Sequence, residues 1–168
     1  MLNSIIRNTG LFILLLLIQV LLMNNIQFSG YVNPYIYILF IILLPFEIPA
    51  WILLLLSFLS GLIVDLFTGI PGLHASATLL AGFFRPYILA LIAPREGYEQ
   101  GETPGLKHFG LRWFLLYLTV IILVHHFALF YLEVFSITYF FRTLARVLLS
   151  SVFSIAFIFL IQTLIIRR

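Results

Sequence analysis

Cysteine is absent from the chain, which excludes disulfides and thiolate metal sites and leaves the compartment open. Charge is scarce too. Asp, Glu, Lys and Arg make up 9% of the 168 residues, and aspartate occurs once, at Asp65. Polar sequence long enough for a separate soluble domain is missing, and no internal repeat stands out to support an inverted-repeat transporter. What fills the chain instead is hydrocarbon. With 63% hydrophobic residues and a mean hydropathy of +1.18, it reads as an all-α integral membrane protein built of bilayer spans and short connections. A net charge of +3 would suggest a nucleic-acid partner in a soluble protein. Here the basic residues sit at span ends, so they report orientation and no nucleic acid is expected.

Hydropathy and breakers place six spans, at about 9–23, 30–44, 50–67, 72–93, 113–134 and 141–166. The first follows Arg7 as a secretory signal would, but no small-x-small cleavage site comes after it, so it reads as an uncleaved span. The second is the shortest: Pro34 suits a helix start, while Pro45 and Pro49 leave it well under the ~20 residues a perpendicular helix needs. It is either thin, tilted against its neighbours or partly re-entrant. The hydrophilic stretch Pro94–Arg112 is the one long loop. With six spans, Arg7, that loop and the Arg167–Arg168 end fall on one side, and the positive-inside rule makes that side cytoplasmic, with both termini. Trp51 and Trp113 then lie at cytoplasmic boundaries as interfacial anchors.

The chain is organised around 61–89, GLIVDLFTGIPGLHASATLLAGFFRPYIL. Asp65 sits inside an apolar run, where an acid costs about 2.5–3.5 kcal/mol on insertion scales, so a partner inside the protein is expected. Gly69, Pro71 and Gly72 mark a turn. Ser57, Gly61, Asp65 and Gly69 recur every four residues, as do His74, Thr78 and Gly82. Each helix of the hairpin therefore carries a ridge of small or polar residues, which is either a packing seam alone or also a docking face.

Other polar residues gather toward the same, outer half: Glu133 ends span five, and Arg142 and Arg146 open span six. Asp65 or Glu133 is expected to pair with Arg142 or Arg146, the alternative being that the arginines snorkel to headgroups. Arg85, before Pro86, either bonds carbonyls freed by the proline or snorkels inward. His125 and His126 point about 100° apart on a helix and do not make a metal site, whereas His126 and Glu133 share a face and can bond.

No catalytic residues or cofactors are expected. An aspartyl protease needs two carboxylates sharing a proton, a rhomboid-type protease would show Gly-x-Ser-x, and a Mg²⁺-dependent enzyme would need several clustered acids.

The run Gly61-Leu-Ile-Val-Asp65-Leu-Phe-Thr-Gly69-Ile-Pro-Gly72-Leu-His74 resembles the central motif of the rod shape-determining protein MreD family. The motif likeness covers about 61–85, and chain length and span number agree over the whole. The resemblance implies a non-enzymatic component of the bacterial inner membrane that takes part in cell-wall elongation and binds MreC, a single-span protein. Through MreC it would reach the MreB filament and the peptidoglycan-synthesis enzymes. It also implies a six-helix bundle similar to the substrate-binding subunit of energy-coupling-factor transporters, so the alternative is a small-molecule-binding uptake subunit. Against that alternative, span one has no alanine for an Ala-x-x-x-Ala docking surface. The residues expected to build a polar groove for a partner helix are Gly61, Asp65, Gly69, Gly72, His74, Arg142 and Arg146.

Overall fold

Apolar runs without internal breakers become helices because a backbone in hydrocarbon must satisfy its own hydrogen bonds. The computed structural model describes residues 2–25, 32–99 and 101–166, with side chains at 9–24, 32–99 and 101–164, and among these it is all-helical. The helices are α1 (Leu2–Leu21), the short α2 (Leu39–Ile42), α3 (Ala50–Thr68), α4 (Leu73–Leu91), α5 (Leu106–Val134) and α6 (Phe140–Ile166). Among the described residues, three stretches are long and apolar enough to cross a membrane: Ala50–Thr68, Leu106–Val134 and Ile137–Leu164. The chain is thus membrane-type. The Arg167–Arg168 end, the Arg7 side chain and most of the 24–33 connection lie outside the described residues.

The α3–α4 hairpin is the tightest unit. A Cβ on Gly61 would lie 2.5 Å from Ala75 Cα, and one on Gly82 would lie 2.9 Å from Ser57 Cβ, so the two ridges of small residues are where the helices touch. Gly69 ends α3 at φ 74°, and Gly72 precedes α4 at φ 90°, left-handed values that glycine adopts without a steric penalty. α5 is kinked where Gly110 takes φ 75° and ψ 173°, which sets Leu106–Phe109 apart from the long helix.

The expected second helix over about 30–44 is corrected. Among the described residues of that stretch only Leu39–Ile42 is helical, so the described chain has five long helices and one broken segment where six helices were expected. Pro34 and Pro45 bracket a stretch whose backbone is non-helical from 33 to 36, and side chains of other helices supply its partners. Asn33 N donates to Ser150 Oγ (3.1 Å) and Tyr35 N to Ser154 Oγ (2.8 Å). Gln19 Oε1 accepts from Ile36 N (2.7 Å), and Gln19 Nε2 donates to the Pro34 carbonyl (3.2 Å). Non-helical backbone survives at this depth only because it is enclosed: Tyr35 through Ile42 are all buried.

The segment also runs the length of the bundle. Asn33 lines the end that carries Phe67 and Ile70, whereas Phe46 stacks on Tyr98 at 4.0 Å and donates its N–H to the Glu102 carbonyl. Trp113 is likewise placed differently from a lipid anchor. It packs among Phe46, Tyr98, Phe109 and Tyr117 and donates to the Ile92 carbonyl at 2.9 Å, closing the 94–105 end. Trp51 does face outward.

Candidate functional site

Asp65 points from the last turn of α3 into the start of α4. Gly72, in the capping position, has no side chain, so the four free N–H groups of a helix start need another acceptor. Asp65 provides it. Its Oδ2 accepts from Gly72 N (2.9 Å) and Ala75 N (3.0 Å), and its Oδ1 accepts from His74 N (2.8 Å) and His74 Nδ1 (2.9 Å). A carboxylate meeting three amides at a helix N-terminus is doubly favoured, by charge-assisted bonds and by the helix dipole. Asp65 therefore does not pair with Arg142 or Arg146.

The other arm of that expectation holds. Glu133 Oε2 lies 2.9 Å from Arg146 Nη1, and the Arg146 guanidinium lies 4.4 Å from the centre of the Phe130 ring. With the Asn33 amide oriented to suit its neighbours, its oxygen accepts from Arg146 Nη2 at 3.1 Å. Arg142 is exposed one turn away, at the start of α6. His126 does not reach Glu133. It bonds the Ile122 carbonyl (2.9 Å) and Ser154 Oγ (3.1 Å). His125 Nε2 and Thr78 Oγ1 meet the Tyr37 hydroxyl at 2.7 and 2.8 Å, so both histidines belong to a buried polar core that locks the broken segment to α4, α5 and α6. No group of three or more metal-ligating side chains occurs among the described residues.

Arg85 takes neither expected course. It is fully buried, and its Nε donates to Tyr117 Oη (2.9 Å) while its guanidinium bonds the Leu44 and Pro45 carbonyls. Tyr117 in turn donates to the Ile42 carbonyl at 3.2 Å. The open carbonyl at the end of α2 is met by a phenol from α5, and the two just beyond the helix by a cation from α4.

Beside the α3–α4 turn a cleft of about 400 Å³ opens, into which Asn24, Asn33, Tyr35, His74, Glu133 and Arg146 project, with Phe67, Ile70 and Val20 along its walls. His74 is 3% exposed, and its Nε2 has no hydrogen-bond partner among the described residues; nor does Arg146 Nε. The cleft thus joins His74 and Arg146, two of the expected groove residues. Gly61 and Asp65 lie behind it as its frame, Gly69 and Gly72 form the adjoining turn, and Arg142 stands outside its lining. Asn24, Asn33 and Tyr35 were not legible as members. Glu133 enters through its expected pairing with Arg146, Asn24 through the 3-10 turn at Met23–Asn25 after α1, and Asn33 and Tyr35 on the broken segment, which no helical periodicity reveals. Comparison with protein-family profiles, curated proteins and solved structures finds no match for this chain.

Proposed function

We propose that this protein is a non-enzymatic, multi-pass component of the bacterial inner membrane that serves the cell-wall elongation machinery, in the manner of the MreD family that its central motif resembles. In this reading the chain crosses the membrane six times, five times as a helix and once as the broken segment, with both termini cytoplasmic. The partner is an MreC-like single-span protein, and contact with MreB and the peptidoglycan-synthesis enzymes is indirect.

One observation carries most of the weight. Each distinctive position of the motif has a structural task in a single device: Gly61 admits α4, Asp65 ties down its N-terminus, and Gly69 and Gly72 make the turn. The device holds the turn end of the hairpin, with exposed Phe67 and Ile70, in a fixed pose along the cleft that Arg146 of α6 also lines. Docking of a partner helix there would rest on packing and a few hydrogen bonds.

Affinity capture of a tagged copy from native membranes in mild detergent tests this. Recovery of an MreC-like protein with wall-synthesis enzymes, lost in an Asp65→Leu variant, supports the scaffold role. Undiminished recovery with Gly61→Leu plus Asp65→Leu counts strongly against it. The polar cleft favours a second reading, that of a small-molecule-binding subunit of an energy-coupling-factor-type uptake system. Co-purification of an ATPase and its membrane coupling subunit would select it.

A further inference from the structure

Phe135, Ile137 and Phe141, in the connection from α5 to α6 and the first turn of α6, are 86%, 90% and 82% exposed. Tyr131 braces this tip from the last turn of α5. Its carbonyl accepts from Phe135 N (2.9 Å), and its hydroxyl donates to the Phe140 carbonyl (3.1 Å). Phe135 itself takes φ 42° and ψ 39°, a left-handed conformation in which glycine or asparagine is the usual residue. A bulky ring therefore stands at the backbone position least suited to one, and it packs on little of the protein.

The exposed face of α6 shows what covers the tip. Phe141, Leu148, Val152, Ala156, Leu160 and Leu164 are all exposed and follow a four- and seven-residue spacing, one slowly drifting apolar stripe along the helix. In a membrane-type chain the body of such a stripe faces lipid, and Phe141 is one end of it. From Phe141 to Leu164 the stripe runs about 35 Å at 1.5 Å per residue, against about 30 Å of hydrocarbon, so its ends reach the acyl–headgroup boundaries. Helix α5 gives the same level independently. From Trp113, at the end closed by the 94–105 loop, to Val134 it rises about 32 Å.

Polar groups share that level: Tyr139 and Arg142 are exposed beside the apolar side chains. A dry protein interface over the tip would bury the Arg142 charge, whereas water alone would leave three large apolar side chains uncovered. The boundary of a phospholipid leaflet satisfies both, offering acyl chains to the rings and phosphate to the guanidinium. We propose that the α5–α6 turn is a membrane anchor, with Phe135, Ile137 and Phe141 seated at the acyl–headgroup boundary of the leaflet on the side of the α3–α4 turn. The anchor fixes the depth of the end of the bundle that carries the polar cleft. It needs neither the proposed partner nor a particular orientation of the chain.

Depth is measured in the full chain, one copy per nanodisc of phosphatidylcholine and phosphatidylglycerol. A nitroxide is attached to a single introduced thiol, Phe135→Cys, Ile137→Cys or Phe141→Cys, in a chain that has no other. Electron paramagnetic resonance then compares collisions with oxygen, which concentrates among acyl chains, and with a water-soluble nickel chelate. Glu47→Cys supplies the aqueous reference, and Val152→Cys, near the middle of the stripe, the hydrocarbon one. All three tip labels are expected to give oxygen-to-nickel ratios above the first reference and below the second. Ratios equal to that of Glu47→Cys would put the tip in water, and ratios equal to that of Val152→Cys would put it inside the core. Weak collision with both reagents would mean that protein covers it. Each of these three results overturns the proposal. The replaced side chains are more than four-fifths exposed, so folding should survive, and two sites suffice should one variant fail. Loss of partner capture would strike only the scaffold reading.

Discussion

At the scale of single residues, two buried ionisable side chains show how the fold absorbs charge without making ion pairs of Asp65 and Arg85. Asp65 accepts four hydrogen bonds, three from backbone amides, and Asn has too few acceptor sites and an amide that donates where donors already point. Asp65→Asn is therefore expected to cost about 2–4 kcal/mol, and Asp65→Leu at least as much, because three amides at a helix start go unmet. Thermal unfolding in detergent followed by circular dichroism checks this; unchanged stability in Asp65→Asn would show that the cap is dispensable. Arg85 reaches two carbonyls and a phenol with a planar fork. A lysine carries the same charge as a compact, strongly hydrated point and cannot meet all three. Arg85→Lys is expected to lower stability by roughly 2 kcal/mol, seen as a lower midpoint in the same melt. The sequence shows that Asp65 and Arg85 need partners, since their burial follows from the surrounding apolar run. It does not show which partners, because Leu44, Pro45 and the α4 amides are backbone atoms that no side-chain pattern announces.

At the scale of elements, the contrast between the α3–α4 hairpin and the broken segment explains what can be read from a chain of this kind. The hairpin is legible because its information is local: a four-residue spacing of small residues, glycines at a turn and an acid nine positions before a histidine. The end of α3 at Thr68 and the start of α4 at Leu73 fall within a residue of the spans that hydropathy places. The segment over 32–44 is illegible for the opposite reason. Hydropathy asks only for apolar residues, and Tyr35–Leu44 satisfies it whether helical or extended. Its conformation is fixed by Gln19, Ser150 and Ser154, which lie on the first and last helices. Those three residues carry a prediction at this scale. Gln19→Leu removes the acceptor for Ile36 N and the donor to the Pro34 carbonyl, and should cost about 2–5 kcal/mol for two unmet buried groups. Ser154→Ala removes the acceptor for Tyr35 N and the hydroxyl that meets His126 Nε2, and should likewise cost about 2–5 kcal/mol. Native-state hydrogen exchange should then show faster exchange at Ile36 in the first variant and at Tyr35 in the second, with α3 and α4 little changed. Equal acceleration throughout the bundle would mean that the segment is not held locally by these side chains.

At the scale of the whole molecule, the broken segment decides the topology. It begins beside the α3–α4 turn and ends against the 94–105 loop, so it carries the chain from one end of the bundle to the other. Pairing the ends in this way puts Glu47 with the basic loop and Ile70 at the opposite face, and both are exposed. In the proposed orientation, which follows the positive-inside rule, the Glu47 face is expected to meet the cytoplasm. Because the chain has no cysteine, each site can be probed with one introduced thiol and no background. In intact inverted membrane vesicles, Glu47→Cys should react with a membrane-impermeant maleimide, and Ile70→Cys should react only after the vesicles are opened. In right-side-out vesicles the order should reverse. Reaction of both thiols from one side would mean that α3, which lies between them, does not cross. Reaction of each from the side opposite to its expectation would keep α3 as a crossing and invert the protein, placing the His74–Arg146 cleft on the cytoplasmic face.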